Sequence, residues 1–207
     1  MHPNPIFRQA PDQQNRDYAR ERGFGMLSIN GPDGPLLAHV PFLLNAEGTS
    51  LDLHLVRSNP IARVISQATP AVIAVTGPDS YVSPDWYGIE NQVPTWNYIA
   101  VHLRGTIQLL PQDDMRDMLD RQSGHFEQAL LPKRIWKTEK VEPEIMDRMM
   151  RQIVPARMQV TAIDGTWKLN QNKPDSARLR AAQNVKSSAL GSDTALLAAL
   201  MLAPPQG

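Results

Sequence analysis

Ser50-Leu-Asp-Leu-His-Leu-Val-Arg-Ser-Asn-Pro60 is the stretch on which the fold turns. Leu51, Leu53 and Leu55 alternate with Asp52, His54 and Val56, the period-two pattern of a strand with one face in a core and the other available. The alternation stops at Arg57. Asn59 then suits a helix N-cap and Pro60 the first helical position, with Ile61, Val64 and Ile65 on one helical face. A strand therefore feeds straight into a short helix.

Upstream, residues 26–29 and 36–44 read as a hairpin around the turn 30–34, and a turn at 45–48 returns the chain into the stretch quoted above. Residues 12–22 are polar on most faces and read as an opening helix stopped by Gly23. Downstream, the apolar run 71–75 predicts a buried strand ending at Gly77-Pro78, and 97–110 one long strand bent at Gly105. Met115, Met118 and Leu119 mark one helix, and Ile145, Met146, Met149, Met150 and Ile153 a second that starts near Pro143. Residues 157–163 alternate as a strand, Asp164-Gly165 is a two-residue hairpin signal, and 166–170 is the expected returning strand. Residues 192–201 predict a short apolar helix, too short to cross a bilayer.

With 18 prolines and 12 glycines in 207 residues, the apolar runs stay short, as strands joined by turns require. The expected class is mostly β, a β-barrel with flanking helices. A chain of this length buries roughly 70% of the surface its unfolded form exposes, so its core needs no staple. Having no cysteine, it can form no disulfide and no thiolate metal site. The 21 basic residues balance the 21 acidic ones, so no net field draws it to nucleic acid or an anionic membrane, and Arg178, Arg180 and Lys186 alone make a weak basic patch. Direct DNA binding is accordingly disfavoured. The first ten residues lack a signal-peptide pattern, which leads to the expectation of a cytoplasmic protein without a membrane partner.

Four segments carry chemistry beyond what a barrel needs. Arg57 and Ser58, at a strand end leading into a helix start, suit a phosphate dianion, and equally suit an ordinary cap beside a surface arginine. The runs Tyr81 to Tyr87 and Pro94 to Tyr98 hold two of the four tryptophans beside hydroxyls and an amide, which suits a flat heteroaromatic ligand as well as a core or interface. Trp167-Lys-Leu-Asn-Gln-Asn172 leaves the last strand with a cation and three amides, where the lysine is also readable as an edge charge. His39, His54 and His102 are scattered singly, without metal-ligand spacing, and no nucleotide-binding glycine motif or nucleophile elbow is present.

In order along the chain, His39-Val-Pro-Phe-Leu-Leu44, Arg57-Ser-Asn-Pro60, Gly77-Pro-Asp-Ser-Tyr-Val-Ser-Pro-Asp-Trp-Tyr87, Val93-Pro-Thr-Trp-Asn-Tyr98 with Val101-His102, and Lys168-Leu-Asn-Gln-Asn172 resemble the motifs of the PaiB family of FMN-binding split-barrel proteins, often named negative transcriptional regulators. The resemblance covers most of residues 1–185. It implies a six-stranded split β-barrel and a homodimer with FMN at the subunit interface. The expected domain runs over 1–185, and the apolar run near the end of the chain predicts a helical tail, 186–207, packed on the body or the partner. The resemblance also implies cofactor contacts from His39, His54, Arg57, Ser58, Asn59, Thr95, Trp96, Asn97, Lys168, Gln171 and Asn172, with Arg57 and Ser58 first in line for the phosphate. The family usually has serine where this chain has Asn170, and Gly-Phe-Glu where it has Pro155-Ala-Arg157. Two functions follow from the resemblance. One is a regulatory, transcription-related flavin-bound homodimer; the other is an FMN-dependent oxidoreductase of the pyridoxamine-phosphate oxidase or flavin reductase class.

Overall fold

The computed structural model describes residues 1–65 and 67–205. The last two residues of the expected tail, 206–207, lie outside them. The strands are β1 (Phe24–Gly31), β2 (Gly34–Leu44), β3 (Ser50–Val56), β4 (Thr69–Val82), β5 (Thr95–Leu109), β6 (Ile153–Lys168) and the two-residue β7 (Gly191–Ser192). They hydrogen-bond in the order β1-β2-β3-β6-β5-β4-β7, and β1 pairs again with β4, so the first six close into a ring of pairings. That is the scheme the split-barrel expectation called for, with β7 appended. Helices α1 (Asp12–Arg22), α2 (Pro60–Val64), α3 (Met115–Gln128), α4 (Pro143–Met150), α5 (Asp175–Val185) and α6 (Thr194–Leu202) flank it.

The quoted stretch behaves as read. Leu51, Leu53 and Leu55 are buried, and the Asn59 side chain accepts the Ile61 N–H at 2.9 Å to cap α2. In β2 the alternation buries Val40, Phe42 and Leu44 and turns His39, Pro41 and Leu43 outward.

Two turn signals are overridden. Strand β4 runs through Gly77-Pro78 rather than stopping there, because Gly77 marks a close approach: a Cβ on it would lie 2.1 Å from the Tyr18 hydroxyl. Strand β6 likewise runs through Asp164-Gly165, so the expected hairpin does not form. A Cβ at Gly165 would lie 1.9 Å from Asn15 Oδ1, an atom that accepts the Trp167 indole N–H at 2.8 Å. In both cases glycine makes room for a side chain instead of supplying a bend. Gly105, expected as a bend, lets the β6 backbone in: a Cβ there would sit 1.8 Å from the Gln159 carbonyl oxygen. Helix α5 had no sequence signal as strong as these, since its buried residues are mostly small alanines.

The chain divides into two compact units, Met1–Tyr18 with Val75–His102 and Ile163–Gly207, and Ala19–Ala74 with Leu103–Ala162. The first unit has a core of Val82, Tyr87, Ile99, Trp167 and Leu169 closed by α5 and α6. Arg178 of α5 donates to the Met201 and Leu202 carbonyls at the end of α6, which satisfies two of the acceptors a helix C-terminus leaves open. In the second unit, α3 packs on β2 and β3.

Candidate functional site

In the second unit the site begins at the end of β3. Arg57 is exposed, and its guanidinium is held in place: Nε donates to the Arg151 carbonyl at 2.9 Å, and one Nη donates to Gln112 Oε1 at 2.6 Å and the Ile153 carbonyl at 3.3 Å. Gln112 is itself fixed by donating to the Met150 carbonyl at 2.9 Å. Of the five guanidinium protons, those on the other Nη remain unbonded among the described residues. Ser58 is exposed beside it, its hydroxyl likewise unengaged. Asn59 differs, since its side-chain oxygen is already committed to the cap.

The outward face of β3 is less open than the alternation suggested, because α3 covers it. Asp52 is only 5% exposed and accepts from Arg157 at 2.6 and 2.9 Å and from Arg121 at 2.8 Å. Asp52 and Arg157 are register partners across β3 and β6, which brings their side chains together without further adjustment. Burial by itself would raise the Asp52 pKa, but hydrogen bonds from Arg157 and Arg121, with their charges, outweigh it and hold the carboxyl below its ordinary value. Beside it, His54 Nδ1 meets Gln122 Oε1 at 3.0 Å, and burial lowers the His54 pKa, so the imidazole is neutral at pH 7. Gln122 is 5% exposed and its Nε2 has no partner among the described residues. His39, on β2, is exposed and lies nearly parallel to Phe24, ring centroids 6.3 Å apart.

In the first unit Lys168, near the end of β6, donates to Thr95 Oγ1 on β5. Two of the expected site residues are thus brought together. Trp96 is 48% exposed and meets Tyr81 edge-on at 6.3 Å. Asn97, one residue on, is fully buried; its Nδ2 reaches only Met201 Sδ at 3.5 Å and its Oδ1 has no partner among the described residues. The strand period thus puts Trp96 and Asn97 on opposite faces. Gln171 folds back on its own loop, accepting from the Leu169 N–H at 2.8 Å and donating to the Trp167 carbonyl. Asn172 is exposed. The departure at Asn170 has a backbone reason: the residue is left-handed, at φ 63°, a conformation asparagine tolerates better than serine.

Sequence reasoning missed Arg121, Gln122, Gln112 and Arg157 as the groups that set Asp52, His54 and Arg57 in place. Sequence separations of 69 and 105 residues between Asp52 and its two arginines left no local signal to find them. Among the described residues no cluster of three or more histidine and carboxylate groups could hold a metal, and no helix is long and apolar enough to cross a membrane.

Within the second unit, a guanidinium with one nitrogen unbonded among the described residues and exposed flat rings at Phe24 and His39 suit the two parts of FMN, a phosphate dianion and a planar heteroaromatic ring. Comparison with known proteins agrees. The family described as "Putative FMN-binding domain" matches residues 1–162. "Protease synthase and sporulation protein PAI 2" of Bacillus subtilis is 28% identical over 163 residues, 76% of this chain and 75% of that protein. Among solved structures, the FAD and heme binding protein of Mycobacterium smegmatis superposes with a TM-score of 0.57 at 14% identity over 90% of this chain and 82% of that one. The flavocytochrome Anf3 of Azotobacter vinelandii gives 0.59 at 14% identity over 89% and 78%. These two likenesses speak for the fold. The chain belongs to this family of FMN-binding domains, the PaiB family that its motifs resemble, and FMN is its cofactor.

Proposed function

We propose that the chain works as a cytoplasmic FMN-bound homodimer whose output is regulatory, with the flavin at the subunit interface. The observation that carries the FMN part of this reading is Arg57, whose guanidinium is pinned by three acceptors and keeps one nitrogen unbonded among the described residues, with exposed Ser58 next in the chain. The other expected contacts are His39, His54, Asn59, Thr95, Trp96, Asn97, Lys168, Gln171 and Asn172, with residues 1–185 as the FMN-binding domain and 186–207 as an appended tail. Exposed apolar side chains, Val93 at 71% and Trp96 at 48%, support a face covered by a second copy. The neutral net charge speaks against direct contact with DNA.

Purified protein is expected to be yellow, with a flavin absorption band that leaves with FMN on denaturation. A colourless protein that takes up no added FMN would overturn the reading. Light scattering should give about twice the 23.1 kDa chain mass; a monomer at micromolar concentration would remove the shared site.

An oxidoreductase role is the second reading. When bound, FMN supplies redox chemistry, so the protein need only position and polarise its substrate. The half-buried, unpaired cation of Lys168 favours this reading, because it suits an anionic substrate.

A further inference from the structure

Half-buried cations usually have an anion. Lys168 is half-buried, and its ammonium donates only to the Thr95 hydroxyl, a neutral oxygen that carries no compensating charge. Its other neighbour is the face of Phe7, with the nitrogen 5.9 Å from the ring centroid. Phe7 is 3% exposed and is set by the N-terminal segment, whose Asn4 side chain caps the turn Pro5–Arg8. Among the described residues no carboxylate pairs with Lys168, although the ordinary way to hold a lysine in partial burial is to supply one.

His2 adds a second donor. It lies edge-on to Phe7 at 4.7 Å, and its backbone N–H is tied to Thr166 Oγ1 at 3.2 Å. Its Nδ1 accepts the Asn4 N–H at 3.1 Å, so a neutral His2 carries its proton on Nε2. Burial, then the charge of Lys168, lowers the His2 pKa, and burial lowers that of Lys168. Two groups that each lose by carrying charge here have been set together around the Phe7 ring, and no carboxylate among the described residues pairs with the lysine.

We propose that Lys168, Thr95 and His2, packed against Phe7, form a subsite for an anionic group, a carboxylate or a phosphate. An arriving anion would restore the electrostatic balance that the protein leaves open and would accept from the ammonium directly. The anion has two possible sources, the phosphate of FMN itself or the acidic group of a second ligand bound beside the flavin. Only the first of these rests on the FMN reading.

The test compares wild type with Lys168→Met, which removes a desolvated charge at nearly constant volume, and Lys168→Arg, which keeps the charge. Thr95→Val, which leaves the lysine in place, is the second variant should Lys168→Met fail to fold. One arm titrates FMN and riboflavin, read by flavin fluorescence. The other titrates acetate and inorganic phosphate into flavin-free and FMN-loaded protein whose lysines carry 13C-methyl labels, read by the Lys168 resonance.

If the anion is the FMN phosphate, Lys168→Met weakens FMN by about tenfold or more, leaves riboflavin unchanged, and is rescued by arginine. If it belongs to a second ligand, FMN affinity is unchanged, and acetate or phosphate moves the Lys168 resonance saturably in FMN-loaded protein and raises its pKa. Thr95→Val should weaken either effect severalfold. Unchanged FMN affinity together with no saturable shift, in either form of the protein, would overturn the subsite. Failure of wild type to bind any flavin would instead overturn the cofactor reading, and the flavin-free titration would still report on Lys168.

Discussion

Asp52→Ala is expected to destabilise the fold by about 3 kcal/mol, read as a shift of the denaturation midpoint at unchanged slope. Asp52 holds three elements at once, its own strand β3, Arg157 on β6 and Arg121 on α3. Removing one partner of a buried charge pair costs about 3–5 kcal/mol because the other is left uncompensated. Here the lower end applies, since the Arg121 and Arg157 side chains are 42% and 39% exposed and can turn to water.

The pH dependence follows from the sign of the shift. The folded-state pKa of Asp52 lies below its ordinary value of 3.8, so its contribution is complete above that value and is lost as pH falls through the folded pKa. The gap between wild type and Asp52→Ala should therefore narrow on acidification below about pH 3.8. His54, with its pKa lowered from 6.5, destabilises both proteins as pH falls below that value and so largely cancels in the difference. A loss under about 1 kcal/mol at pH 7, or a gap that widens in acid, would show that the arginines hold nothing through Asp52. The site has a stake in the result, because α3 also carries Gln122, the partner of His54.

Arg57→Ala should weaken FMN by roughly tenfold to a hundredfold, about 1.5–3 kcal/mol for a charge-assisted hydrogen bond to a dianion, and should leave riboflavin nearly unaffected. Only one guanidinium nitrogen is open, so a bidentate fork is not available and the effect belongs in this range rather than above it. The Ile61 N–H at the start of α2 already serves Asn59, and Pro60 has no N–H, which leaves the arginine more of the phosphate to hold. The substitution also cuts the ties to Arg151, Gln112 and Ile153, so riboflavin is the control that separates phosphate from fold. Equal losses for both ligands would assign Arg57 a structural role. No loss for either would move the phosphate to Lys168.

Much of this was legible in one dimension because it depends on neighbours in sequence. The leucine alternation from Ser50, the Asn59 cap, Pro60 at the head of α2 and the methionine pattern of α3 are local, and those elements formed as they predict. Helix α4 forms from Pro143 but ends at Met150, so Ile153, expected on it, opens β6, and Met149 faces out. The motifs that point to FMN are likewise short runs, and they place Thr95 and Lys168 where the two side chains meet.

Local signals failed where a distant group intruded. Gly77-Pro78 and Asp164-Gly165 read as turns, yet both lie inside strands, because Tyr18 and Asn15 occupy the space a side chain would fill. A glycine needed for a turn and a glycine needed for a close approach look identical in sequence, and only the packed neighbour separates them. The alternating face of β3 looked open for the same reason, since nothing near Asp52 in the chain announces Arg157 or α3. Sequence alone therefore determined the leucine-alternating strand β3, the Asn59 cap of α2 and the family of cofactor, all of which rest on short-range periodicity and motif. Tertiary structure alone decided which polar groups are already spent on one another and which are left open, because hydrogen-bond satisfaction is settled by contacts between residues far apart in the chain.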